Sequence, residues 1–181
     1  MLIDSRHALL LLVDLQERLM PAMHEPGQVI ANSLIMLTVA GKLGIPTVVT
    51  EQYPQGLGHT VPEIGERLAA REAVYPKMTF SAAADPAVMA RLRQSRRMQV
   101  VLAGVEAHVC VTQTAIGLAQ AGYQPFVVAD AITSRKPQSV QLALERLRQN
   151  GVSIVSTEMV LFELLGRAGT EEFRELSRLI R

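Results

Sequence analysis

The chain has 181 residues, 49% of them hydrophobic, enough for one compact domain over residues 1–181 with a sizeable core. Its 18 Lys and Arg offset 17 Asp and Glu to a net charge of +1, and no long basic tract is present to follow a phosphate backbone, so nucleic acid is not an expected partner. A single cysteine, Cys110, excludes an intramolecular disulfide, and a reducing cytoplasm suits the chain.

The first apolar run, Ala8-Leu9-Leu10-Leu11-Leu12-Val13, is far too short to span a bilayer and reads as a buried strand running into Asp14. Its upstream flank lacks the pattern of a signal peptide, so no membrane association is expected. Residues from about 28 to 43 have helical period and end at Gly44, a residue suited to a C-cap. Ile45-Pro46-Thr47-Val48-Val49-Thr50 predicts a second strand with Pro46 at its entrance, followed by a Pro- and Gly-rich loop from Glu51 to Thr60. Ala73-Val74-Tyr75 is a weak strand leading to Lys77, and Asp85-Pro86 opens a helix to about Ser95. Val100–Ala103, Pro125–Ala129 and Val152–Val155 are three further strands, separated by helices of about 108–121 and 137–150. This alternation predicts an α/β fold, a three-layer α/β/α sandwich on a parallel sheet of about six strands.

In such a sheet, ligands bind beyond the carboxyl ends of the strands. Asp14, Glu51 with Gln52, Lys77, and the stretch from Gly104 to Cys110 follow four different strands, so they are expected to meet at one edge. A cysteine where a strand passes into a helix faces the positive end of the helix dipole, which favours its thiolate and supports nucleophilic catalysis. Taken singly, each residue has a plainer reading. Cys110 can be a small buried hydrophobe, Asp14 a turn cap and Lys77 a solvated lysine. A carboxylate, an ammonium and a thiol at the same edge favour chemistry, because a carboxylate can deprotonate a thiol and a lysine can stabilise the charges formed.

The ordered blocks Leu11-Leu12-Val13-Asp14-Leu15-Gln16-Glu17, Val49-Thr50-Glu51-Gln52-Tyr53-Pro54 with Gly56-Leu57-Gly58-His59-Thr60, Lys77 with Phe80-Ser81, Gly104-Val105-Glu106-Ala107-His108-Val109-Cys110-Val111, Val128-Ala129-Asp130-Ala131 and Phe162-Glu163-Leu164-Leu165-Gly166 span nearly the whole chain. In these the sequence resembles the isochorismatase-like cysteine hydrolases, and most closely the isochorismatase domain-containing subgroup. The resemblance implies a Cys110 nucleophile, an Asp14 acid/base, Lys77 as the third member of a triad, and a cis peptide at Val105–Glu106. It also implies an oxyanion hole from the backbone N–H groups of Glu106 and Cys110, and commonly a homo-oligomer.

Metal-dependent relatives carry an Asp-x-His pair after the second strand, where this chain has Glu51-Gln52-Tyr53-Pro54. Proline offers no ligand and a neutral amide is a weak one, and Glu51 with His59 falls short of a site, so neither metal nor other cofactor is expected. Gln52, Tyr53, Phe80 and His108 are the candidate substrate contacts, with a core role for Phe80 and a capping role for His108 as alternatives; His7 and His24 are expected at the surface. Two functions stand: a cytoplasmic hydrolase of a small amide, carbamoyl or related substrate, and a non-catalytic binding module with a redox-sensitive Cys110. The apolar spacing of the C-terminal helices is expected to pack on the sheet.

Overall fold

The computed structural model describes residues 1–68 and 74–180. Along the chain run β1 (Ala8–Val13), α1 (Pro26–Lys42), β2 (Thr47–Gln52), α2 (Pro54–Leu57), α3 (Pro62–Gly65), β3 (Val74–Lys77), α4 (Pro86–Ser95), β4 (Gln99–Val105), α5 (Thr112–Gln120), β5 (Gln124–Thr133), α6 (Pro137–Gln149), β6 (Ser153–Val155), α7 (Thr157–Leu165) and α8 (Glu171–Leu176). All six strands are parallel, in the order β3-β2-β1-β4-β5-β6, with helices on both faces. Ala73, part of the expected third strand, lies outside the described residues.

The continuous apolar run of β1 follows from this layering. Leu10 and Leu12 enter one core with Val29, Met36 and Ala40 of α1 and Val160 of α7. Leu9, Leu11 and Val13 enter the other with Val88 and Leu92 of α4, Leu118 of α5 and Leu147 of α6. Successive side chains of a strand point to opposite faces, so a strand covered on both sides is apolar at every position. Among the described residues no helix is long and apolar enough to cross a membrane.

Several boundaries differ from those expected. Helix α1 starts at Pro26, two residues early, because the proline's missing N–H has no partner to lose at a first helical position. Strand β2 is displaced two residues along the chain, through Glu51 and Gln52, which pair with Pro76 and Lys77 of β3. Glu51, Gln52 and Lys77 are therefore the last residues of strands and not loop residues. Strand β5 runs on to Thr133 because an irregularity sets Leu102 opposite Val127 but Gly104 opposite Ile132. Within it, Asp130 Oδ1 accepts from Thr157 N at 2.8 Å and Thr157 Oγ1 at 2.9 Å, tying this extra length to the start of α7.

The expected helix beginning near 108 opens as a π-helical turn, Ala107–Val111, before α5. The strand order reverses between β1 and β4, so the crevice at the carboxyl ends of this pair is the natural ligand position. Gly104 sets their approach there: a Cβ at this position would lie 2.0 Å from the Val13 carbonyl oxygen, and φ is +121°. Any side chain would force the two strands apart.

Candidate active site

Asp14 leaves β1 in the left-handed region, at φ 53°, a conformation Asp tolerates better than most residues. Its carboxylate is fully buried, and both oxygens have partners. Thr50 Oγ1 donates to Oδ1 and Lys77 Nζ to Oδ2, each at 2.7 Å. The side-by-side order β3-β2-β1 brings Lys77, the end of β2 and Asp14 together from three separate stretches of chain.

Lys77 is 2% exposed, so its ammonium must find its solvation inside the protein. It donates to Gln52 Oε1 at 2.7 Å and points at the carbonyl oxygens of Phe80 at 3.1 Å and Thr79 at 3.2 Å. Gln52 also donates from Nε2 to Met78 O at 3.0 Å, so its amide holds the lysine loop together. The Phe80 ring is exposed, and its carbonyl is the part that reaches the buried ammonium. That answers the core alternative for Phe80. Tyr53 is likewise exposed, with its N–H bonded to Lys77 O at 3.0 Å.

Cys110 lies in the π-helical turn and is 6% exposed. The expectation of a thiolate favoured by a helix terminus is corrected here. Burial first, then the negative charge of Asp14 and its hydrogen bond with the thiol, push the Cys110 pKa up to about 12. The Lys77 charge and the backbone N–H of Glu106 act in the opposite direction without overcoming them. Cys110 thus holds its proton at rest, in electrostatic contact with both Asp14 and Lys77.

The peptide bond Val105–Glu106 is cis. The Glu106 carboxylate is clasped by Arg135, through its backbone N at 3.2 Å and Nε at 3.1 Å, which anchors the side chain of the residue that follows the cis bond. His108 is half-buried, with Nδ1 2.9 Å from Ser134 Oγ, and His7 and His24 are exposed.

Glu51 and His59 form a separate arrangement. Glu51 Oε1 accepts from the N–H and Oγ1 of Thr60, both at 2.7 Å, and Oε2 lies 3.1 Å from His59 Nδ1. The carboxylate is engaged in folding its own loop. Thr50 and Gln16, both fully buried, were assigned no role by the sequence, although a polar residue at the apolar end of a strand is a usable signal. Thr50 bonds Asp14, and Gln16 bonds the main chain of Gln52.

A family model described as the Isochorismatase domain matches residues 8–159. The chain belongs to the isochorismatase family. Isochorismatase domain-containing protein 2 of Bos taurus is 41% identical over 175 residues, covering 96% of this chain and 83% of that protein. Among solved structures, the MAR1 ribonuclease of Caenorhabditis elegans superposes with a TM-score of 0.93 at 35% identity, covering 99% of this chain and 92% of that one. An octameric hydrolase of unknown specificity from Escherichia coli has a TM-score of 0.91 at 24% identity, over 98% of this chain and 90% of its own, a likeness of fold.

Within this isochorismatase fold, the arrangement is chemically specific. A buried carboxylate in electrostatic contact with a protonated thiol, beside a fixed ammonium, suits proton transfer coupled to nucleophilic attack.

Proposed function

We propose that this isochorismatase-family protein is a cysteine hydrolase of a small non-peptide amide, carbamoyl or related substrate. Cys110 is its nucleophile, Asp14 its acid/base and Lys77 the group that holds Asp14 in place and stabilises its charge. The observation that carries the reading is the buried Asp14–Lys77 pair acting on the Cys110 thiol. A binding module has no use for an ammonium and a carboxylate held out of water at such desolvation cost beside a thiol.

Asp14 accepts the thiol proton as sulfur bonds to the substrate carbonyl carbon. The oxyanion that forms is received by the N–H groups of Glu106 and Cys110. The C–N bond breaks as Asp14 returns the proton to the leaving nitrogen, leaving a thioester. Water, losing a proton to Asp14, attacks the thioester; the acid departs and Cys110 recovers its proton. Tyr53, Phe80 and His108 are the proposed substrate contacts, and Gln52 touches substrate from the Lys77 side.

The proposed state is a single-domain, cytoplasmic homo-oligomer, for which the exposed Phe162 beside Phe173 near the C terminus supplies apolar surface. Light scattering that shows a monomer at micromolar concentration counts against the oligomer. A ribonuclease function, the name of the C. elegans relative, has little to rest on in a chain of net charge +1.

The test is the rate of Cys110 alkylation by iodoacetamide across pH. Asp14→Asn removes a negative neighbour and accelerates alkylation, whereas Lys77→Ala removes a positive one and slows it. Indifference of the thiol to both substitutions overturns the reading. Ammonia release from a panel of small amides then gives the substrate, with a folded Cys110→Ala variant as the inactive reference.

A further inference from the structure

We propose that Gln16 is a positioning residue of the site, setting the Lys77 ammonium against Asp14 through Gln52; this rests on the hydrolase reading above. Val13 is the last β1 residue in register with β2, opposite Thr50, and Asp14 then turns away at φ 53°. Strand β2 continues for Glu51 and Gln52, past the end of its neighbour. The peptide groups of Gln52 on that side have lost the strand that would pair with them, and buried backbone groups must be satisfied.

The side chain of Gln16 takes the place of the missing strand. Its Oε1 accepts from Gln52 N at 2.8 Å, and its Nε2 donates to Gln52 O at 3.0 Å. A primary amide presents the same donor and acceptor as a peptide group, so it closes the ladder by one further rung. Nε2 also donates to Gly58 O at 2.7 Å, fastening the loop that follows β2. Gln16 is fully buried and its own N–H bonds Asp14 O at 2.9 Å.

Gln16 therefore holds both ends of the buried pair. Its main chain is bonded to Asp14, and its side chain fixes Gln52, whose Oε1 is 2.7 Å from Lys77 Nζ. Without it, the Gln52 amide loses its anchored backbone and Lys77 relaxes toward the carbonyls of Thr79 and Phe80. The Asp14 charge is then less well balanced and Cys110 less readily deprotonated.

Gln16→Met keeps the volume and removes all three side-chain hydrogen bonds. Its alkylation by iodoacetamide at a fixed pH is expected to slow about threefold, the equivalent of half a pKa unit in the thiol. Gln52→Met is expected to slow it similarly. The double variant is expected to be no slower than the slower single one, since both act through Lys77. If Gln16→Met fails to fold, the neutral and shorter Gln16→Asn is read in the same assay with the same expectation.

An unchanged pH profile at lowered thermal stability, or additive slowing in the double variant, overturns the proposal. A thiol that answers to Asp14→Asn and Lys77→Ala but not to Gln16 defeats this inference alone. A thiol that answers to none of them defeats the hydrolase reading with it.

Discussion

Two lysine–carboxylate pairs of nearly equal length lie at opposite extremes of burial in this molecule. Lys77 and Asp14 meet at 2.7 Å with both side chains fully buried, whereas Lys42 of α1 and Glu175 of α8 meet at 2.6 Å with 40% and 54% of their side chains exposed. The hydrogen bond with Glu175 raises the Lys42 pKa, but water competes for both partners and salt screens them. The buried pair has no such alternative. Its members are solvated by Thr50, Gln52 and the carbonyls of Thr79 and Phe80, and each is costly once the other is removed. Contact length is thus a poor guide to what an ion pair does; the surrounding solvation decides.

The largest effect is expected from Lys77→Met, which leaves Asp14 buried and unpaired. A loss of about 3–5 kcal/mol in urea unfolding is expected, together with loss of turnover. With Asp14→Leu added to that variant, most of the stability is expected to return, because no buried charge is left unpaired, and turnover is expected to stay absent if the pair serves the proposed chemistry. Thr50→Val keeps the ion pair but removes the hydroxyl donor to Asp14 Oδ1, with an expected cost of about 1.5–3 kcal/mol in the same measurement.

A smaller effect is read in pH. The folded state raises the Cys110 pKa from its ordinary 9.0 to about 12, so it holds this proton more tightly than the unfolded chain does. The stability this contributes is fully present below about pH 9 and is lost as pH rises toward 12. Wild-type protein is therefore expected to lose more stability than Cys110→Ala between pH 8 and pH 10.5, measured by urea midpoints at each pH. Smallest of all is Lys42→Ala, for which no change in Tm is expected at 0.15 M salt; a clear drop would show that the exposed pair carries more than its solvation suggests.

Much of the fold was legible because apolar runs and turn residues speak locally. The six buried residues of β1, the Asp85 cap that accepts from Ala87 N and Val88 N, and the alternation of strands with helices each follow from neighbours in sequence. The boundaries that moved are those set from outside the segment. Strand β2 reaches Gln52 because β3 and the Gln16 side chain meet it there, and β5 reaches Thr133 because Asp130 has a partner in α7. No periodicity within either segment carries that information.

The site divides in the same way. Asp14, Lys77 and Cys110 stand out in the sequence as candidates by residue type and by their place at the carboxyl ends of strands, and the order β3-β2-β1-β4 supplies their geometry. The protonation of Cys110 differs from what its strand-to-helix position suggests, because burial and a facing carboxylate, which act through space, outweigh a helix dipole. Consecutive residues set the elements and the chemical groups at their ends, since propensity and alternation are local properties. Which of those groups come to share solvation and charge is settled by the packing of the strands, since Asp14 and Lys77 are 63 positions apart and meet only when three strands align.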